Sequence, residues 1–291
     1  MIIDAHVHLW KVQAGLVNGR PVRALSGGRA DFGGEVRQMM PPYLMNGENT
    51  AEALLSNMDF AGVNGAVVTQ ENIDGSQNVY LREVGALFPD RLKVSSLYEE
   101  GKPLETKGFS GVKICAGRLQ DQDLLHHEAV FARTAEEGRF LLIDLAEGGS
   151  QTAALRTLAE KYPDLRIAVG HFGMAGRPDW LSQIRLAELP NVMIESGGIT
   201  WLYNDEFWPY HSAVQAFRTA IGLVGPEKLM WGSDYPRTMT AITYRMSLDF
   251  LKDSNELTEY EKERILGANA QEFYGFPMME PIKRIKHMAE D

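Results

Sequence analysis

Two histidines stand two positions apart near the start of the chain, in the run Asp4-Ala5-His6-Val7-His8. Side chains at alternate positions of a β-strand point to the same side, so the two imidazoles converge if this segment is a strand, with Asp4 one step below. Two imidazoles on one face can share a divalent cation. Seven histidines in 291 residues give about 0.2 such pairs by chance, so the pair alone leaves packed or solvated histidines open.

Two further groups follow apolar runs later in the chain. The run Ile167-Ala168-Val169-Gly170 leads into His171, and Leu229-Met230-Trp231-Gly232-Ser233 leads into Asp234. Taken alone, His171 is best explained as a core histidine. A carboxylate at the end of a buried strand needs a metal, an imidazole or an arginine as partner, because an isolated buried charge is costly.

Short apolar segments rich in β-formers recur along the sequence, and segments with helical spacing lie between most of them. This alternation predicts a parallel sheet covered by helices. The eight predicted strands span 1–9, 65–69, 92–97, 111–115, 140–145, 166–170, 192–195 and 229–232. Eight strands in about 230 residues favour a (β/α)8 TIM barrel over an open sheet. Closure makes the first and eighth strands neighbours, so the histidine pair, His171 and Asp234 meet at one mouth.

The barrel accounts for residues 1–276 as a single domain, and residues 277–291 form a solvated tail. Residues 11–48 are glycine-rich and lack clear periodicity, which predicts a long insertion loop after the first strand. A loop of this length is usually functional, although a flexible surface excursion is the alternative. Its position on the face where barrel enzymes carry their active sites favours a lid.

The composition excludes several classes of partner and site. The chain has 29 basic and 39 acidic residues, which argues against nucleic acid or an anionic membrane as partner. No apolar stretch approaches the about 18 residues of a membrane span, and no signal peptide precedes the first strand, so we expect a cytoplasmic protein. The single cysteine, Cys115, excludes a disulfide framework and is expected to be a small buried hydrophobe.

Three motifs together resemble the amidohydrolase superfamily. Within it, the chain is similar to the amidohydrolase-2 branch of aminocarboxymuconate-semialdehyde decarboxylases, γ-resorcylate decarboxylases and sugar or pyrone-dicarboxylate lactonases. The motifs are Asp-Ala-His-Val-His, Val-Gly-His-Phe-Gly and Trp-Gly-Ser-Asp-Tyr-Pro, and the resemblance runs from Met1 to Phe276. The motifs are specific to the superfamily and do not identify the reaction.

The resemblance implies roles for individual residues. His6 and His8 match the metal ligands of the first strand, and Asp234 matches an aspartate that binds metal and moves a proton. His171 matches a histidine that acts near the substrate or water, and it is a further candidate ligand. Asp144 stands where a metal-binding histidine is usual; an aspartate can bind a hard cation but weakens the case for zinc. The implied cofactor is one divalent ion, zinc or manganese, without a nucleotide cofactor.

Other residues that follow strand ends are candidates for binding the substrate. Arginine can hold a carboxylate by two parallel hydrogen bonds, and aromatic rings can wall an organic ring. Ordinary rim packing is the alternative for each, and Lys113 could form an outward salt bridge instead. The candidates are Lys113, Arg118, Glu195, Trp201, Tyr203 and Arg237.

Together these features predict a metal-dependent hydrolase of a small organic acid or lactone, with a carboxylate-bearing substrate. A divalent ion would lower the pKa of bound water, and Asp234 or His171 would take the proton. The alternatives are a non-oxidative decarboxylase, a metal-free lactonase with Asp234 as base, and a non-catalytic binding protein on the same scaffold. The outer helices of such a barrel could also pair two copies in a homo-oligomer.

Overall fold

The computed structural model describes residues 1–283, 286, 288 and 289, so part of the predicted tail lies outside the described residues. Twelve strands are numbered in chain order: β1 Ile3–His8, β2 Leu16–Val17, β3 Arg20–Ala24, β4 Arg29–Phe32, β5 Val36–Gln38, β6 Gly65–Thr69, β7 Leu92–Leu97, β8 Gly111–Cys115, β9 Phe140–Asp144, β10 Arg166–Val169, β11 Val192–Glu195 and β12 Leu229–Met230. Eight of them form one sheet in the order β1, β6, β7, β8, β9, β10, β11, β12. All pairings between neighbours in this sheet are parallel.

The sheet closes between its first and last strands. Val7 forms a parallel bridge with Tyr235. The amide of Ala5 donates to the carbonyl of Trp231 at 2.9 Å, and that of Asp234 donates to the carbonyl of His6 at 2.9 Å. The eight predicted strands and the (β/α)8 barrel are therefore confirmed, and closure brings Asp234 beside the histidine pair.

Helices connect the strands on the outside of the barrel. The α-helices are α1 Ala51–Ala61, α2 Asn78–Leu87, α3 Glu128–Glu136, α4 Thr152–Lys161, α5 Trp180–Ile184, α6 Ile199–Leu202, α7 His211–Val224, α8 Met246–Lys252, α9 Glu259–Glu263 and α10 Asn269–Tyr274. A π-helical segment, Arg264–Ala268, joins the last two. Short 3₁₀ helices occupy Ala116–Arg118, Leu124–His127, His171–Gly173, Arg185–Glu188, Pro226–Lys228 and Arg237–Thr240.

Side-chain capping explains where two of these helices begin. The hydroxyl of Thr50 accepts a hydrogen bond from the amide of Ala53 at the start of α1. Thr258 and Glu261 form a reciprocal capping box at the start of α9. No helix of the described residues is long and apolar enough to cross a membrane.

Apolar side chains close the amino end of the barrel and leave the carboxyl end to polar groups. A buried cluster inside the barrel includes Ile3, Ala5 and Phe140, and Tyr274 and Phe276 from the end of the chain pack against it. Burial of such apolar surface contributes about 25 cal/mol per Å². The polar side chains at the strand ends therefore lie next to a packed apolar layer inside the barrel.

An irregularity in β1 changes which side chains face the interior. The register between β1 and β6 shifts between Asp4 and Val7, as a β-bulge does. Ala5 belongs to the interior cluster, whereas Val7 belongs to the outer core. Asp4 accepts a hydrogen bond from the hydroxyl of the outer-core residue Tyr244 at 2.9 Å. The expectation that Asp4 lies one step below His6 and His8 is therefore wrong.

Residues 11–48 contain more structure than the predicted loop. Strands β2 to β5 form a four-stranded antiparallel sheet, which we call the lid sheet. Val22, Ala30 and Met39 form its small core together with Ile73 from the loop after β6. The strands are only two to five residues long and are separated by glycines, so no periodicity is readable in the sequence.

Candidate active site

Three ligand atoms converge where β1 ends and the chain leaves β12. His6 Nε2 lies 3.0 Å from His8 Nε2. Asp234 Oδ1 lies 3.0 Å from His8 Nε2 and 3.8 Å from His6 Nε2. All three residues are buried, and within the described part of the chain they form the group that could hold a metal ion.

The donor set fits a divalent cation. His6 Nδ1 lies 2.7 Å from Glu195 Oε1, so it carries the proton and leaves a lone pair on Nε2. His8 Nε2 can carry one proton at most, whereas two possible acceptors, His6 Nε2 and Asp234 Oδ1, each lie 3.0 Å from it. In tetrahedral coordination with zinc–ligand distances of 2.0–2.2 Å, the ligand atoms lie about 3.3–3.6 Å apart. The separations here, 3.0, 3.0 and 3.8 Å, bracket this range. One bound cation would accept a lone pair from each of the three atoms, whereas a single shared proton cannot bridge all of them.

Neighbouring side chains hold these ligands in orientation. Glu195 accepts from the amide of Gly197 at 2.6 Å as well as from His6. The indole N–H of Trp201 donates to Asp234 Oδ2 at 2.8 Å, which leaves Oδ1 facing the two histidines. Glu195 is predicted as a substrate ligand, but it lies behind His6 and orients that ring instead. Such partners of metal ligands typically change affinity or activity 10- to 100-fold.

The electrostatics of the cluster favour a neutral His8 and an ionised Asp234. Burial, reinforced by the Arg237 guanidinium, holds the pKa of His8 well below its usual range. Burial alone would raise the pKa of Asp234, but the hydrogen bond and charge of His8, with Arg237 and His6, hold it far below its usual range. Neutral imidazole and carboxylate are the protonation states that bind metals.

The backbone turns sharply at His171 and at Asp234, the two site residues from the second half of the chain. His171 and Asp234 have φ values of 54° and 58°, in the left-handed region that non-glycine residues rarely adopt. Each follows the end of its strand, so the turn directs the side chain into the mouth. Strained backbone of this kind clusters at functional sites.

Asp144 is paired and does not join the three ligand residues. Lys113 Nζ lies 2.5 Å from Asp144 Oδ1, and His171 Nε2 lies 3.4 Å from Asp144 Oδ2. Burial alone would lower the pKa of His171, but the carboxylate of Asp144 raises it to about 10. The prediction of Asp144 and His171 as metal ligands is not supported by this geometry, since their charges satisfy each other. Lys113 faces the barrel interior, so the outward salt bridge is wrong.

The Lys113–Asp144 pair gives a stability prediction. Lys113 is 1% exposed, and replacement by methionine would leave the Asp144 carboxylate buried without its ammonium partner. We expect Lys113→Met to lower the free energy of unfolding by about 3–5 kcal/mol, measured by chemical denaturation. The double variant Lys113→Met, Asp144→Asn should recover more than half of this loss. An equal loss in both variants would show that the charge of Asp144 is not the cause.

Asp234 of the ligand cluster lines a cavity of about 500 Å³ at the carboxyl end of the barrel. Its wall combines charged residues from the barrel loops with residues of the lid sheet and the segment after it. The lining residues include Phe32, Arg37, Gln38, Glu71, Arg118, Asp144, His171, Trp201, Asp234 and Arg237. The volume suits a small organic molecule.

Two acidic residues of the mouth, Glu71 and Asp74, are not among the predicted site residues. Glu71 Oε1 lies 2.5 Å from Arg118 Nε, and Asp74 Oδ2 accepts from Arg237 Nη2 at 2.6 Å. Both follow the second barrel strand, β6. Their position just after a predicted strand could have identified them, because the same criterion selected the candidates after the other strands.

The remaining predicted residues divide between the cavity wall and its surroundings. Arg118, Trp201 and Arg237 line the cavity, whereas Tyr203 lies outside the lining and has its ring beside Gly176. Cys115 is buried, as expected, and burial raises the pKa of its thiol to about 12. This thiol is therefore not a nucleophile at neutral pH.

Comparisons with known proteins agree with the barrel fold. A family model described as amidohydrolase matches residues 3–276. No protein of curated function matches the chain in sequence. Solved structures with the same fold are similar over most of their length.

One is a probable 2-pyrone-4,6-dicarboxylic acid hydrolase from Acinetobacter baumannii with citric acid bound. It is 20% identical, has a TM-score of 0.72, and the match covers 94% of this chain and 99% of that one. An amidohydrolase from Burkholderia multivorans with bound zinc is 16% identical, with a TM-score of 0.67 and coverage of 95% and 100%. The 5-carboxyvanillate decarboxylase of Sphingomonas paucimobilis is 18% identical, with a TM-score of 0.60 and coverage of 79% and 84%.

Proposed function

This chain belongs to the amidohydrolase family, and from that membership we propose that it is a metal-dependent hydrolase of a small, carboxylate-bearing lactone or organic acid. The observation that carries the proposal is the convergence of His6 Nε2, His8 Nε2 and Asp234 Oδ1 beside a cavity that Asp234 lines. Three protein ligands with an open side toward the substrate are typical of a catalytic rather than a structural metal site.

The metal is assigned to the same three residues. A divalent ion bound there would act as a Lewis acid on a substrate carbonyl and would lower the pKa of water. Glu195 keeps the proton of His6 on Nδ1, so that Nε2 remains a ligand. The similar structure from Burkholderia multivorans contains zinc, which supports a divalent ion as the cofactor.

Asp234 is assigned as the general base. Its Oδ2 accepts from the indole N–H of Trp201, while its Oδ1 faces His8 Nε2 at 3.0 Å. A carboxylate oxygen has two lone pairs, so Oδ1 can contact a cation and still accept a proton from the attacking water. His171 is less suited to take this proton, because Nδ1 bonds to the carbonyl of Gly197 at 2.8 Å and Nε2 faces Asp144.

Arg237 and Arg118 are assigned to a carboxylate of the substrate. Both line the cavity, and Nε and Nη1 of Arg237 make no hydrogen bond within the described chain. A guanidinium can hold a carboxylate by two parallel hydrogen bonds and so place a neighbouring carbonyl near the water. Phe32, Arg37 and Gln38 of the lid sheet also line the cavity, so this sheet would restrict access of bulk water.

An isotope experiment tests the reaction type. Purified protein with Zn²⁺ or Mn²⁺ is screened against lactones and aromatic or muconate-like acids, including 2-pyrone-4,6-dicarboxylate, in water enriched in ¹⁸O. We expect a product that carries one ¹⁸O atom in a new carboxylate, detected by mass spectrometry, because water attacks a carbonyl. Release of CO₂ without ¹⁸O in the organic product would assign the chain as a decarboxylase instead. Turnover that persists after chelation of all metal would favour the metal-free lactonase.

A further inference from the structure

Asp74 is a buried carboxylate that the proposed mechanism does not use. It is 2% exposed and lies on the loop between β6 and α2. Its Oδ2 accepts from Arg237 Nη2 at 2.6 Å, and its Oδ1 accepts from Gln13 Nε2 at 2.8 Å. Gln13 lies between β1 and the lid sheet. The carboxylate of Asp74 therefore binds both Arg237 at the mouth and Gln13 in the segment that leads into the lid sheet.

Asp74 makes the shortest contact to the head of Arg237 among the described residues. Glu71 Oε2 and Asp234 Oδ1 lie 3.8 and 3.7 Å from the guanidinium, beyond hydrogen-bond distance. Nε and Nη1 of Arg237 are buried without a hydrogen bond. The orientation of this guanidinium therefore depends mainly on Asp74.

The loop that carries Asp74 also contacts the lid sheet and the segment just before it. The amide of Ala14 donates to the carbonyl of Asp74 at 3.0 Å, and that of Leu16 donates to the carbonyl of Asn72 at 3.1 Å. A Cβ on Gly15 would lie 2.1 Å from the Asn72 carbonyl oxygen, so only glycine fits this close approach. Ile73 completes the apolar core of the lid sheet. Two consecutive side chains of one loop, Ile73 and Asp74, therefore contact the lid core and the mouth.

We propose that Asp74 is a positioning residue that couples the lid sheet to Arg237, so that the lid and the substrate-binding arginine are ordered together. The proposal depends on the proposed function only for the assignment of a substrate carboxylate to Arg237. Its physical basis is a shared charged acceptor: loss of either donor leaves a buried carboxylate that is less well fixed for the other.

Limited proteolysis of the full-length protein without substrate measures this coupling. Trypsin can cleave the lid after Arg23, Arg29 and Arg37, which are exposed. We expect Asp74→Asn, Gln13→Met and Arg237→Gln each to speed cleavage at these sites about fivefold, followed by mass spectrometry. Arg237→Gln should add nothing in the Asp74→Asn background, because the connection is already broken. Asp249→Asn is the matched control, since it neutralises a carboxylate of α8 that pairs with Arg245, and it should leave lid cleavage unchanged.

If each residue only stabilised the fold independently, the increases in lid cleavage rate would multiply in the double variant. The double variant therefore distinguishes coupling from a general loss of stability. Multiplying effects, or a normal lid cleavage rate in Arg237→Gln, would overturn the proposal. Thermal melting by circular dichroism checks that each variant is folded. If Asp74→Asn does not fold, the same cycle between Gln13→Met and Arg237→Gln gives the test. Because the measurement needs no turnover, failure of the proposed hydrolysis would leave its result unaffected.

Discussion

Replacement of Asp234 by asparagine is expected to lower kcat by about 10³-fold or more, while the melting temperature changes by only a few degrees. The amide keeps the shape of the side chain and can still meet the indole of Trp201, but it cannot take a proton at the position of Oδ1. Steady-state kinetics on the substrate found by the screen, with thermal melting of the same preparation, measures both quantities.

A matched control for this variant is Asp249→Asn, which removes a carboxylate that pairs with Arg245 at 2.8 Å outside the mouth. It should retain the full kcat. Full activity in Asp234→Asn would remove Asp234 from the proton transfer, and the proposed mechanism would lose its base.

Replacement of both His6 and His8 by alanine is expected to abolish stoichiometric metal binding. Two of the three ligand atoms are then missing, and a lone carboxylate cannot hold a transition metal at micromolar concentration against water. Elemental analysis of the purified protein after dialysis measures the metal content, and activity should fall with it.

The double replacement of His126 and His211 by alanine serves as control, because these exposed histidines pair with surface carboxylates away from the cavity. Its metal content should equal that of the unchanged protein. If the His6 and His8 variant retained one metal per chain, the ligands would have to be sought elsewhere.

The barrel and the meeting of its first and last strands could be predicted from sequence because they follow from local patterns. Each strand is a short apolar run, and His6, His8, His171 and Asp234 each lie at or just beyond the end of one. Barrel geometry then brings these ends together without any knowledge of individual contacts.

The rest depends on contacts between distant segments, which no local pattern reveals. Asp144 resembles a ligand by position, but Lys113 from the neighbouring strand neutralises it. Glu195 resembles a substrate ligand, but it orients His6. The bulge in β1 turns Asp4 outward, because one irregular residue reverses which side chains face the interior.

The lid sheet also depends on contacts between distant segments, so the sequence pattern does not reveal it. Its strands stabilise one another and pack on Ile73, so the signal is spread over residues about 50 positions apart rather than in a periodic run. Asp74 stands in that loop without a motif, and its importance depends on Gln13 and Arg237.

The central claim is that His6, His8 and Asp234 bind one divalent metal beside the cavity that Asp234 lines. Anomalous diffraction from a crystal grown with Zn²⁺, recorded on both sides of the zinc absorption edge, tests it most directly. We predict one strong peak within about 2.0–2.2 Å of His6 Nε2, His8 Nε2 and Asp234 Oδ1. A cavity without a peak at saturating Zn²⁺, or a peak bound by other residues, would contradict the claim.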